Sequence, residues 1–385
     1  MTISRRKFVR VLGSGAAVVA AGGVGLARCD RMPADAVKGW SAPGRGETDP
    51  RRRALSFALL APNPHNMQSW AVDLSGEDEI ALHVDTTRLL PETDPYARQI
   101  VIGQGTFLEV LAIAASAEGF SADITYFPDG APAAHDIGAR PIARIKLRKT
   151  GVAPDPLFAQ ISHRRSAKVP YLEKPLQPDH MTALQSSHGS STVALEMTRQ
   201  PDDVATLKDI TWEAMVTEMR TPRALRETLE RTRVSADAIT RHRDGISLHG
   251  PFFWWTKRLG LFTPDKAATP GTFAFDAGLD YVSNWYGTAR AFGWMTTATN
   301  SRIDQIEAGR AYVRFNLKAT ELGVAMHPFS QVLQEYREMQ SLQRSFLKAV
   351  AAPAGSTVQM LFRLGYADLP DPTPRRWLGD IVKNA

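Results

Sequence analysis

Ala61-Pro62-Asn63-Pro64-His65-Asn66-Met67-Gln68-Ser69-Trp70 comes directly after a short apolar, helix-like run at residues 54–60. Its two prolines lock φ and drive the chain out of the helix. The chain then forms a loop of short amides, Asn63, Asn66 and Gln68, with His65 among them and Trp70 entering a strand. Such a loop offers several donors and acceptors to a planar ligand edged with heteroatoms. Read alone, it is equally a polar helix-to-strand connection. The surrounding chain has to decide.

Outward from this loop, residues 69–74 and 79–85 read as two strands joined by a glycine-containing turn at 75–78. Apolar residues then recur at helical spacing from 97 to 117 (Ile100, Val101, Phe107, Leu108, Leu111), and Gly119 stops the run. Strands come next at 122–127 and 142–147, and residues 150–155 read as a joint. Beyond it lie a helix at 177–187, a strand at 193–198 and a charged, mostly helical stretch at 202–233. Residues 249–262 carry Phe252, Phe253, Trp254 and Trp255 in a row, either lining a pocket or packing an insertion onto the core. Helices are expected at 281–292, 304–322 and 331–351, with strands at 293–299 and 358–363. One internal echo appears: Ile102-Gly103-Gln104-Gly105 and its helix resemble Glu307-Ala308-Gly309-Arg310, each ending in an Ala-x-x-x-Gly cadence at 115–119 and 319–323.

The formal charge of +6 is concentrated at the N-terminus. Residues 1–29 hold five basic groups and no acidic one, which leaves +1 for the rest and gives no indication of a nucleic-acid-binding body. Ser4-Arg5-Arg6-Lys7-Phe8-Val9 precedes a glycine-diluted apolar run at 11–27, the pattern of a twin-arginine export leader. Gly25-Leu26-Ala27 is a small-x-small cleavage site, and an uncleaved leader would be the one means of membrane attachment. Residues 30–51, rich in Gly, Pro and charge, read as a tether. The single cysteine, Cys29, rules out intrachain disulfides and cysteine-ligated clusters. Export after folding also favours a cofactor taken up before transport.

Arg164-Arg165-Ser166-Ala167-Lys168 packs three cations and a hydroxyl into five residues, suited to a phosphate monoester or simply a solvated charge run. Arg375-Arg376 is a second basic knot with the same two readings. No Gly-x-Ser-x-Gly elbow occurs, Gly103-x-Gly105 lacks the third glycine of a dinucleotide fingerprint, and the nine histidines form no metal pattern.

Together these pieces resemble the flavin-dependent nitroreductases. Ala61-Pro62-Asn63-x-x-Asn66-x-Gln68-x-Trp70 resembles that family's Ala-Pro-Ser-x-x-Asn-x-Gln-Pro-Trp loop. Arg164-Arg165-Ser166-x-Lys168 resembles its phosphate segment, and Leu364-Gly365-Tyr366, trailed by prolines and Arg375-Arg376, resembles its C-terminus. The order departs from the usual one, in which the Arg-Arg-Ser segment comes first and two subunits complete each other's sites. Here the first half (52–150) has the loop and the second (151–385, with an expected lid insertion at 199–280) has both basic segments. The resemblance therefore implies an α+β, nitroreductase-like pseudo-dimer of two fused half-units with mainly antiparallel sheets, similar to the Acg-type FMN-binding branch. Asn63 and Ser69 replace the family's Ser and Pro.

The resemblance further implies FMN as cofactor. Arg164, Arg165, Ser166, Arg375 and Arg376 would serve the phosphate, Lys168 the N1/O2 edge, and Asn63, Asn66 and Gln68 the ring edge. No protein acid or base is required for hydride transfer; His327, just past a helix end, could approach the ring or equally be a surface histidine. The implied activity is an oxidoreductase acting on a nitro, quinone or similar small-molecule acceptor; the alternative is a flavin-sequestering protein with little turnover. The expected setting is the periplasm or cell envelope, reached through the twin-arginine translocase, as a monomer with no nucleic-acid or metal partner.

Overall fold

The computed structural model describes residues 30–133, 136–138 and 140–384. The expected leader and its cleavage site, residues 1–29, lie outside the described residues. The chain runs through α1 (Ala34–Val37), α2 (Pro50–Ala58), β1 (Trp70–Asp73), β2 (Glu79–Val84), α3 (Arg98–Ser116), β3 (Phe120–Tyr126) and β4 (Ala143–Lys149). Next come α4 (Pro178–Gln185) and β5 (Val193–Thr198). A long excursion carries α5 (Pro201–Arg220), α6 (Pro222–Glu230), β6 (Thr232–Val234), α7 (Ala236–His242), β7 (Ile246–Leu248), α8 (Pro251–Arg258), α9 (Pro264–Ala267) and α10 (Phe273–Tyr286). The chain returns through β8 (Ala291–Thr297), α11 (Arg302–Glu321), β9 (Ala325–Pro328), α12 (Gln340–Ala349), β10 (Thr357–Gly365), α13 (Leu378–Ile381) and β11 (Val382–Asn384).

Local chemistry explains where these elements begin. The Asp49 carboxylate accepts from Arg51 N at 2.8 Å and Pro50 opens α2, which frees the exit at Ala61-Pro62 to turn. In β2 burial alternates along Glu79–Val84, so Ile80, Leu82 and Val84 face the core. The Asp94 carboxylate accepts from Gln99 N and Ile100 N and starts α3. Ser301 and Asp304 form a reciprocal capping box at the start of α11.

One unit is built twice. Each unit contributes four antiparallel neighbours, β1-β2-β4-β3 in the first sheet, whose edge is extended by β11, and β5-β8-β10-β9 in the second, with a helix crossing from the second strand of each unit to the third. The fold class is α+β. Those two helices, α3 and α11, cross backbone to backbone. A Cβ on Gly105 would overlap the Ile306 carbonyl oxygen, and one on Gly309 would overlap that of Ile102. Both pairs of corresponding residues lie 204 positions apart, as do the left-handed glycines Gly119 and Gly323 that end the helices. The contact is reciprocal, as across a two-fold axis. Ile306 enters the first unit's core and Ile102 the second's. The echo seen in the sequence is this crossing, shifted by one residue at its start: Gly105, not Gln104, faces Gly309.

Four expectations are corrected. Residues 30–51 are no tether: Trp40 is 5% exposed and donates to Thr373 O at 2.8 Å. The second half does not keep its own end, because β11 leaves it to pair in parallel with β1, Val72 opposite Val382. The helix expected at 281–292 instead ends at Tyr286, since Gly287 breaks it and the fully buried 291–297 run completes the second sheet. The helix expected from 331 begins only at Gln340. The Arg98 guanidinium takes the Leu333 carbonyl at 2.6 Å and pairs with Glu335, holding that segment in short turns. The excursion between β5 and β8 spans 199–290, slightly beyond the expected insertion.

Candidate functional site

The opening loop is folded by its own amides. His65, Asn66 and Gln68 all take positive φ (47°, 54° and 52°), a conformation costly for residues other than glycine unless the surroundings hold it. Asn63 Oδ1 accepts from Gln68 N at 2.7 Å and closes the turn. Asn66 Nδ2 donates to Gly245 O and Pro374 O, and its Oδ1 accepts from Arg375 Nη1 at 2.8 Å. Gln68 is fully buried; its Nε2 donates to Arg243 O at 2.9 Å, and its Oε1 accepts from Arg376 N at 2.8 Å. The loop thus ties the first unit to the excursion and to the C-terminal segment.

These bonds correct the roles expected for three residues. Gln68 lies behind the site and latches it. Arg376 donates to Gln68 O at 3.1 Å and Asp380 O at 2.6 Å and stays within reach of Asp85, so it is committed to the fold. Asn66 reaches the site by orienting Arg375, its own amide being spent.

The basic segment comes after a turn at 158–163. Ala167 N donates to Met326 O at 2.9 Å, and Arg363 donates to Ala167 O and Val169 O at 3.0 and 2.8 Å, gripping the carbonyls on either side of Lys168. Arg164 donates from Nε and Nη2 to Leu60 O at 3.1 and 2.9 Å, and Arg375 Nη2 reaches the same oxygen at 3.4 Å. Leu60 directly precedes the opening loop, so one carbonyl joins all three pieces.

These pieces wall a cavity of about 460 Å³, within the range of small-molecule sites. Asn63, His65 and Asn66 come from the first unit, Arg164 to Ser166, Lys168 and His327 from the second, Arg375 from the tail, and Gly245 to Ser247 and Tyr281 from the excursion. Of the sequence-predicted residues, only Gln68 and Arg376 are outside its wall. A groove of about 600 Å³ beside Asp73, Glu79 and Arg144 holds none of them.

The electrostatics are one-sided. Arg164, Arg165, Arg375 and Lys168 form no ion pair among the described residues; Asp371, which favours the Arg165 charge, stays beyond pairing distance. Burial lowers the Arg164 pKa to about 10, with Tyr312 opposing and Arg165 adding to the fall. Burial, then Arg164 and Arg165, hold Arg375 well below its ordinary value. Desolvation by the surrounding protein lowers Lys168, with Glu218 opposing, while the side chain keeps access to solvent. Among the described residues no hydrogen bond engages the Ser166 hydroxyl or Lys168 Nζ, and Arg375 Nε is enclosed without a partner. A cluster of cations with spare donors and no carboxylate paired to it is built for an anion.

Three imidazoles, those of His65, His249 and His327, complete the wall. His327 is 4% exposed, lies edge-on to Trp285 and Phe329, and is held neutral by burial and by Arg363 and Lys168. His65 is driven down to about 4 by burial, then by Lys168 and Arg231. Between about pH 6.5 and 4 the unfolded chain therefore binds a proton at His65 that the folded chain refuses, so stability falls as pH falls through that window. Urea unfolding at pH 7 and 5 is expected to show the parent losing about 1–3 kcal/mol more than His65→Gln. Asp94, pushed up to about 6 by burial, acts in the opposite sense but equally in both chains.

The sequence reading missed His65 as a wall residue, although it stood inside the quoted loop, and it missed Trp40. A lone tryptophan in a segment without periodicity carries no pattern to read.

No family model matches the chain. A Mycobacterium tuberculosis protein (strain H37Rv) named as a candidate NAD(P)H nitroreductase, Rv3131, is 26% identical over 340 residues, covering 86% of this chain and 90% of its own length. A second candidate from that strain, named acg, is 24% identical over 361 residues, covering 87% and 95%. Among solved structures, the FMN-dependent nitroreductase NfnB of Mycobacterium smegmatis, in complex with NADPH, aligns to 58% of this chain and 95% of its own at 14% identity and a TM-score of 0.37. A Desulfitobacterium hafniense nitroreductase with bound FMN aligns to 59% and 97% at 11% identity and the same TM-score. The structural likeness is too loose to carry residue roles.

Proposed function

We propose, from the premise that this chain is a nitroreductase-superfamily protein of the acg type, that its cavity binds flavin mononucleotide and that it works as an oxidoreductase on a small acceptor such as a nitro compound or quinone. The observation that carries the reading is the group of three guanidiniums, from Arg164, Arg165 and Arg375, gathered beside the Ser166 hydroxyl with no described carboxylate in pairing distance, Asp371 being the acidic residue of the wall that acts on Arg165. That donor set suits the oxygens of a phosphate monoester. The relatives named as nitroreductases support the flavin over other phosphate-bearing ligands.

When bound, the flavin supplies a ring that accepts and returns hydride. The chain's own residues do the rest. Arg164, Arg165, Arg375 and Ser166 grip the phosphate. Lys168, gripped on both sides by Arg363, offers a cation to the ring's electron-rich polar edge, where negative charge develops on reduction. The neutral imidazoles of His65 and His327 and the aromatic wall at Tyr281 leave a largely uncharged space for the acceptor. In the same proposal the chain is a pseudo-dimer with one complete site, divided near residue 150, monomeric, and exported to the cell envelope by the twin-arginine route.

A second reading, a flavin store with little turnover, draws on the excursion forming part of the cavity wall. Anaerobic addition of NADPH or NADH to the flavin-loaded protein separates the two. The oxidoreductase reading expects bleaching near 450 nm within seconds and recovery on adding a nitroaromatic or quinone; a flavin that no nicotinamide reduces would sink it.

A further inference from the structure

Trp40 stands at the phosphate end of the cavity and stacks against all three arginines. The guanidinium carbons of Arg164, Arg165 and Arg375 lie 5.4, 4.6 and 4.8 Å from its ring centroid. The ring is held from two directions. Its Nε1 donates to Thr373 O at 2.8 Å, and Arg375 N donates to Ala36 O at 2.9 Å just upstream. At the other end of the segment the Asp30 carboxylate accepts from Ala236 N at 2.6 Å and Gly250 N at 3.0 Å, where α7 and α8 begin. Residues 30–40 therefore run as a strap from the excursion to the tail, across the mouth of the site.

The stacking has a specific consequence. Three like charges with no carboxylate in pairing distance repel one another; Asp371 acts on Arg165 alone, and the electron-rich face of an indole is a compensating group that all three share. With the guanidinium carbons over the ring and several N–H groups bonded to Leu60 O, Asn66 and Pro374 O, the donors left for a ligand are few and fixed, Arg375 Nε among them. Trp40 thus helps turn three mutually repelling cations into one fixed cradle.

We infer that Trp40 is a positioning residue of the ligand site, which holds Arg164, Arg165 and Arg375 in register for a phosphate monoester, so that residues 30–40 belong to the binding machinery. The inference rests on the flavin mononucleotide reading and adds a residue to it. It predicts selectivity: losing the indole should weaken ligands that carry the phosphate and spare those that lack it.

The test titrates the full chain, Trp40→Ala and Trp40→Phe with riboflavin 5′-phosphate and with riboflavin, monitoring quenching of flavin fluorescence. Trp40→Ala is expected to bind the phosphate ester at least about 10-fold more weakly, while riboflavin changes less than about 2-fold. Trp40→Phe, which keeps a ring but not the bond to Thr373, should fall between and remains informative if the alanine variant folds poorly. Phosphate-ester affinity within about 2-fold of the parent in both variants would overturn the inference, as would an equal loss for both flavins, which marks a merely structural residue. A parent chain that binds neither flavin would instead overturn the cofactor reading, and the strap with it.

Discussion

Arg164→Ala combined with Arg375→Ala is expected to lower the affinity for riboflavin 5′-phosphate by at least about 100-fold. Hydrogen bonds to charged groups contribute about 1.5–3 kcal/mol each, and each 1.4 kcal/mol is a factor of ten. Both guanidiniums meet at Leu60 O and have no carboxylate partner, so little in the ligand-free protein offsets their loss. Folding stability should move less than about 1 kcal/mol: the bonds to Leu60 O and Asn66 Oδ1 are lost, while the cost of burying two repelling cations is relieved. Flavin content of the purified double variant, with a urea titration of the same sample, checks both statements. A variant that keeps stoichiometric flavin refutes the phosphate assignment, whereas a variant that loses flavin by unfolding shows the guanidiniums to be structural.

The second large effect concerns the joint between the halves. Gly105→Ala or Gly309→Ala places a methyl group on a backbone carbonyl of the facing helix, and a helical backbone cannot rotate aside as a side chain can. Overpacking of this kind costs about 1–3 kcal/mol and sometimes more, reduced by the ~1 kcal/mol that alanine gains over glycine inside a helix. A net loss of about 1–2 kcal/mol is expected, a noticeable share of the ~5–15 kcal/mol typical of a folded domain. Gly103→Ala is the control on the same helix. Its Cβ would meet Pro64 Cδ at 3.3 Å, a contact that can relax, and the change should stay within about 1 kcal/mol. Equal unfolding midpoints for Gly103→Ala and Gly105→Ala would contradict the close crossing.

How much of the protein was legible in its sequence depends on the range of the interactions involved. Strand β5 was legible because burial imposes a period of 2 on neighbouring residues, and helix α3 as a long apolar run stopped by Gly119, although its burial extends around the whole helix. The basic segment was legible as chemistry, since three cations and a hydroxyl are conspicuous wherever they fold. Of the three amides of the opening loop, Asn63 and Asn66 reach the cavity wall, while Gln68 is turned to the backbone behind it. Whether Gln68 faces a ligand or a backbone depends on Arg243 and Arg376, which lie 175 and 308 positions away and which no local pattern connects to it. Trp40 and β11 stayed hidden for the same reason: each is defined by a partner from the other end of the chain. The crossing glycines fall between these cases, since their repeat was visible but its register needed the contact itself.

The central claim, one flavin mononucleotide site walled by both halves of a single chain, is tested most directly by calorimetric titration of the full-length protein with riboflavin 5′-phosphate. One equivalent bound per chain, with riboflavin at least about 10-fold weaker for want of the phosphate contacts, is the result expected. Two equivalents of equal affinity, or no heat of binding with either flavin, would contradict it.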